Sequence, residues 1–226
     1  MFVGHYAAAF VAKRFEPRLP LWALLLAVQL VDVIWGVFIL LGIERATLDF
    51  SLPGSPLVLS YMPYTHSLPA TLGWAALAGL GAMAVWSGGR ARLLLGMILA
   101  AAVASHWLLD LLVHRHDLAL WGDAHKVGLG LWNRPWLSNV LEVGLLAASV
   151  AVLACSRAWP RQRRLDLTLL GLALVLLQSS SQFGAGPQSL TAMVLSALSV
   201  YLLVPLAGRW VEFGGKRPDR PAPAPD

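Results

Sequence analysis

The stretch Arg92-Leu-Leu-Leu-Gly-Met-Ile-Leu-Ala-Ala-Ala-Val-Ala-Ser-His106-Trp-Leu-Leu-Asp110-Leu-Leu-Val113 decides the fold. No Lys, Arg, Asp or Glu stands between Arg92 and Asp110. At 1.5 Å per residue, a helix over 92–113 reaches about 33 Å, enough to cross a hydrocarbon core of about 30 Å. Working outward, comparable apolar stretches recur at 19–43, 67–87, 136–156, 166–184 and 188–207. The breaks between them carry turn chemistry: Pro53-Gly54-Ser55-Pro56, Gly88-Gly89, Trp159-Pro160 and Gly184-Ala-Gly186-Pro187. Of the 226 residues, 58% are hydrophobic and 13% charged. A soluble domain carries about a quarter charged residues. The chain reads as all-α: a polytopic transmembrane bundle of about six spans plus a short N-terminal helix. Residues 1–208 form one domain, and the Pro-rich tail 209–226 is expected to be disordered.

Charge tests this layout. Thirteen basic residues fall on one side: Lys13, Arg14, Arg18, Arg90, Arg92, Arg157, Arg161, Arg163, Arg164, Arg209, Lys216, Arg217 and Arg220. Four (Arg45, Arg115, Lys126, Arg134) fall on the other. The positive-inside rule then puts both termini in the cytoplasm, and a five- or seven-span layout breaks the asymmetry. The same rule accounts for the net charge of +5, so the expected surroundings are membrane lipids and nucleic acid is not an expected partner. Cys155 stands alone, so neither an intrachain disulfide nor a cysteine-based metal site can form. Residues 2–12 are apolar and too short to span, and Lys13-Arg14 follow them, the reverse of a signal peptide. They suit a surface helix on the inner leaflet or a re-entrant helix packed within protein. The loops 44–66 and 114–135 are rich in Tyr and Trp, as in an interfacial belt or a partly ordered cap.

Ionisable groups within the hydrocarbon are costly and usually face a partner, a cavity or a ligand. Asp32 lies in the first span and His106 in the third, both roughly 20 Å from the inner boundary. His106, Asp110 and His114, at i, i+4 and i+8, share one helical face. His66 opens the second span, and a re-entrant N-terminus would lift His5 toward the level of Asp32. Imidazole nitrogens with carboxylate oxygens suit zinc or another divalent first-row metal. The candidate ligands are His5, Asp32, His66, His106, Asp110 and His114, with Asp32 or Asp110 as general base if unligated. The bland alternative is that these side chains hydrogen-bond one another and hold the bundle together. His116 and His125 read as solvated loop residues, and Ser67 and Ser105 as helix-packing serines. Gln178-Ser-Ser-Ser-Gln182 give the fifth span a polar patch.

Gly4-His5, Asp32, Thr65-His66-Ser67 and Ser105-His106-Trp-Leu-Leu-Asp110, in that order, resemble a bacterial family. It is that of the inner-membrane-associated metal-dependent hydrolases, sometimes described as LexA-binding. The longer strings Met1-Phe-Val-Gly-His-Tyr6, Tyr64-Thr-His-Ser67, Leu112-Val-His-Arg-His-Asp-Leu118 and Gly128-Leu-Gly-Leu-Trp-Asn133 resemble an uncharacterised group of bacterial membrane proteins more closely. The likeness covers roughly residues 1–150. It implies a metal site at His5, Asp32, His66, His106 and Asp110 and a place in the bacterial inner membrane. Where the family carries a Pro-Asp-x-Asp-His-like run, this chain has Gln29-Leu-Val-Asp32-Val33. One carboxylate and one histidine of that run are missing, which tells against a two-metal site.

Three functions follow as expectations. The first is a metal-dependent hydrolase acting on a lipid-like or small-molecule substrate. The second is a small transporter in which Asp32, His66 and His106 carry protons or a cation. No internal repeat supports it, although a homo-oligomer could supply the symmetry. The third is a helical scaffold that holds a structural ion or haem.

Overall fold

The computed structural model describes residues 1–86, 89–156 and 159–214. A 3-10 turn, Val3–His5, leads into α1 (Tyr6–Phe15). α2 (Leu21–Val28) and α3 (Leu30–Leu40) follow, then the hairpin β1 (Arg45–Leu48) and β2 (Leu57–Tyr61). α4 (Leu68–Val85) and α5 (Arg90–Val113) precede a second hairpin, β3 (Leu118–Trp121) and β4 (Ala124–Val127). The chain ends on α6 (Pro135–Ala154), α7 (Arg161–Phe183) and α8 (Leu190–Phe213). α4 to α8 are each long and apolar enough to cross a membrane, and the bent pair α2–α3 is so only when its two helices are taken together, which gives five to six candidate spans. The architecture is thus the expected helical membrane bundle. Arg157, Lys216, Arg217 and Arg220 lie outside the described residues, as does the tail from 215.

Local chemistry sets the helix ends. The Ser67 hydroxyl accepts the Ala70 amide at the start of α4, and Ser189 accepts Ala192 at the start of α8. Pro135 opens α6, where its missing N–H is no loss. α4 and α5 pack closely through facing glycines: a Cβ on Gly79 would lie 2.9 Å from the Gly96 carbonyl oxygen. Small residues of this kind let membrane helices approach backbone to backbone.

One alternative is selected and two expectations change. Residues 2–12 take the inward of the two placements expected for them, packed within protein and not on the surface. Eight of the first ten residues are buried, and α1 packs inside the bundle against α2 and α6. The Glu142 carboxylate from α6 fixes this segment by accepting the Phe2 and Gly4 amides at 2.7 and 3.2 Å. Met1 therefore lies in the interior, at the other end of this segment from the Lys13-Arg14 turn. Second, the span expected at 19–43 is not continuous. It bends by 52° at Gln29, whose side-chain amide donates to the Phe2 carbonyl. Broken helices are tolerated at membrane depth where protein covers the freed backbone. Third, α8 extends past its expected end at 207 to Phe213, so 209–213 are helical. Glu212 anchors that end: one oxygen pairs with Lys13 at 2.5 Å, and the other accepts the Leu21 amide.

The loops 44–66 and 114–135 carry the two hairpins and cover the opposite end of the bundle. Arg115 joins them. Its guanidinium donates to the Pro53, Ser55 and Leu57 carbonyls and to the Asn133 side chain. Trp121 and Trp136 are exposed, as in an interfacial belt, whereas Trp132 is buried beneath the cap.

Candidate metal centre

α1 brings His5 into the bundle, and α3 supplies Asp32 just past the bend. α5 carries His106 and Asp110, with His114 at its cap, and His66 precedes α4. All six converge, and each is at most 8% exposed. His66 Nε2 lies 3.2 Å from Asp32 Oδ1 and 3.7 Å from Asp110 Oδ2. His106 Nε2 lies 3.5 Å from the first oxygen and 3.2 Å from the second. The His5 ring stacks on His106 at 3.8 Å, and its Nε2 is 3.2 Å from Asp110 Oδ1. His114 Nε2 approaches the same oxygen at 3.5 Å, and the Met1 nitrogen at 2.5 Å.

Hydrogen bonds behind the rings decide what these nitrogens present. His106 Nδ1 faces the Val28 carbonyl at 2.8 Å, and a carbonyl only accepts, so Nδ1 carries the proton. Val28 ends α2 at the bend, so the broken helix supplies this acceptor. His66 Nδ1 lies 2.9 Å from Thr65 Oγ1, which is 2.6 Å from Glu44 Oε2. The carboxylate must accept, so the hydroxyl donates to Glu44 and in turn accepts from Nδ1–H. His114 Nδ1 faces Asp117 at 3.2 Å. In their neutral forms His66, His106 and His114 each turn an Nε2 lone pair toward a carboxylate.

Acceptor facing acceptor is repulsive unless a cation or an added proton stands between them. His106 Nε2 and Asp110 Oδ2 are buried without a hydrogen-bond partner, as are both ring nitrogens of His5. Zinc ligands at 2.0–2.1 Å in a tetrahedron stand about 3.4 Å from one another. The imidazole-to-carboxylate separations within His66, His106 and Asp110 are 3.2 and 3.7 Å and bracket that edge. Two overlapping triads, His5–Asp32–His106 and His66–His106–Asp110, bring their ligand atoms within 4.8 Å of one another. The donor set fits a divalent ion.

Beside the centre is a cavity of about 70 Å³. Asp32, His66, Asp110 and His114 border it, with Trp35, Leu59, Trp132 and Tyr201 among the apolar and aromatic walls. The hairpin residue Leu59 and Trp132 close it on the cap side. His116 and His125 are exposed, as expected of loop residues. Ser105 bonds the Ala102 carbonyl of its own helix, and Ser67 bonds Pro63, so neither serves the centre. Gln178 of the fifth-span polar patch is buried with its side-chain oxygen unpartnered.

Sequence reasoning missed Glu44, Glu142 and Tyr201. Glu142, eight residues into an apolar span, carried the same signal of buried charge as Asp32. Glu44 sits next to Arg45 at a loop boundary, where a solvated acid is the default. A tyrosine in an apolar helix carries no signal. No family model, curated protein or solved structure matches this chain.

Proposed function

We propose that this protein is a membrane-embedded metal-dependent hydrolase of the bacterial inner membrane, with its basic end toward the cytoplasm. His66, His106 and Asp110 would hold the ion, zinc by their chemistry, with His5, Asp32 and His114 at its margin. The observation that carries the reading is the pair of lone pairs on His66 and His106 Nε2 turned toward Asp32 and Asp110, with His106 Nε2 and Asp110 Oδ2 buried and without a hydrogen-bond partner. A divalent ion there would supply Lewis acidity, polarising a carbonyl or phosphoryl oxygen.

The residues then divide the work. Asp110, whose side chain is 1% exposed, is enclosed and holds. Asp32 borders the cavity as Asp110 does, but its side chain is the more exposed of the two, so it is the carboxylate placed to take a proton from the attacking water. His114, oriented by Asp117, borders the same cavity. Trp35, Trp132 and Tyr201 exclude bulk water and suit an apolar or lipid-like ester, amide or phosphoester. The resemblance of the His and Asp motifs to the membrane hydrolase family supports the same reading.

The test is hydrolysis of a panel of lipid esters, amides and phosphoesters by purified protein in detergent. Chelator-sensitive turnover, lost in His106→Ala and reduced at least 100-fold in Asp32→Asn, is expected. Turnover insensitive to both chelator and substitution removes the proposal. One feature favours transport instead: the helix break beside Asp32, because transporters place ion sites at broken helices. Metal- or proton-coupled flux in proteoliposomes, without hydrolysis, would select that reading.

A further inference from the structure

We infer that Glu44 is a positioning residue that sets the proton on His66, and through it the hold of the centre on its metal. The inference rests on the metal reading above. Glu44 is 1% exposed, although it stands where the first span meets a loop. Its Oε1 accepts the Tyr64 and Thr65 amides at 2.8 and 3.0 Å. Its Oε2 accepts the Thr65 hydroxyl at 2.6 Å. That last bond uses the only hydrogen of the hydroxyl, so Thr65 can only accept from His66. His66 is thereby held with its proton on Nδ1 and its lone pair on Nε2, aimed at Asp32 and Asp110. A carboxylate that orients a metal-binding imidazole fixes its tautomer and raises its basicity.

Replacing Glu44 by Gln reverses the relay. The amide oxygen can still accept the two backbone amides, but the amide nitrogen now donates to Thr65. The hydroxyl then donates to His66 Nδ1, and the proton moves to Nε2, where it blocks ligation. A purely structural Glu44 that only ties down residues 64–65 predicts something else. Thr65→Val would then be silent, because it leaves both backbone contacts intact.

The experiment is zinc titration of the full chain in detergent, with ¹⁵N chemical shifts of histidine-labelled, metal-free protein. Glu44→Gln and Thr65→Val should each weaken zinc binding by about 10- to 100-fold. Thr65→Ser should retain affinity. The double variant should lose little more than either single one, since both cut the same relay. In metal-free wild type the His66 signal should show Nδ1–H, and in Glu44→Gln it should show Nε2–H. Unchanged affinity and tautomer in Glu44→Gln would overturn the inference. Wild type that binds no zinc would sink the metal reading instead, and the tautomer comparison would still decide the role of Glu44.

Discussion

Asp110 is shared by more partners than any other side chain in the centre. One oxygen faces His66 and His106, and the other faces His5, His114 and the Met1 nitrogen. Asp110→Asn is therefore diagnostic. An amide nitrogen in place of Oδ2 donates to the His106 lone pair and removes the conflict between two acceptors. Metal binding should be lost. Because the carboxylate also pairs with the buried Met1 ammonium, metal-free Asp110→Asn should in addition unfold several degrees below metal-free wild type in chelator. Retained metal binding would contradict the assignment. Metal binding by the wild type should also weaken as pH falls, because protons compete for the same imidazole nitrogens. Isothermal titration at several pH values measures this. Asp32, His106 and Asp110 stood out in the sequence because a charge in an apolar span demands company, and His114 because it shares their helical face, whereas His5 hung on an inward N-terminal segment and His66 lay at the outer end of its span. Glu44 was not, since nothing in a loop boundary tells a solvated acid from one buried under a hairpin.

At the scale of elements, the centre depends on two departures from regular spans. The bend at Gln29 gives His106 its carbonyl, and the inward N-terminal segment gives His5 its stacking position. Hydropathy reads neither, because α2 and α3 are equally apolar and the 3.6-residue period does not mark a 52° bend. The inward segment is held at its far end by the buried Lys13–Glu212 pair. Glu212→Gln leaves a buried ammonium without its counter-charge, which costs about 3–5 kcal/mol. Thermal unfolding in detergent should show that loss, together with weaker metal binding through displaced His5. The cap has its own fastener in Arg115. Arg115→Ala removes the donor to three carbonyls of residues 53–57, and hydrogen exchange there should rise at least 10-fold with α4 to α8 unchanged.

For the whole molecule, the helical bundle with five to six candidate spans was legible because apolar stretches of membrane-crossing length recur along the chain. The position of the cavity beneath the hairpins was not, because it arises from packing between residues as distant as Leu57 and Tyr201. The layout sets the cap end, with Asp123 in its second hairpin, opposite the basic end at Arg90. In a Cys155→Ser background, Asp123→Cys should react with an impermeant maleimide in intact cells. Arg90→Cys should react only after permeabilisation. The central claim is that buried Asp and His side chains gather around a cation, and metal content with X-ray absorption tests it most directly. Purified wild type should carry about one divalent ion per chain, with nitrogen and oxygen neighbours at about 2.0–2.1 Å, lost in His106→Ala and Asp110→Asn. Wild type that stays metal-free under every loading condition, yet is as stable as the variants, would contradict it.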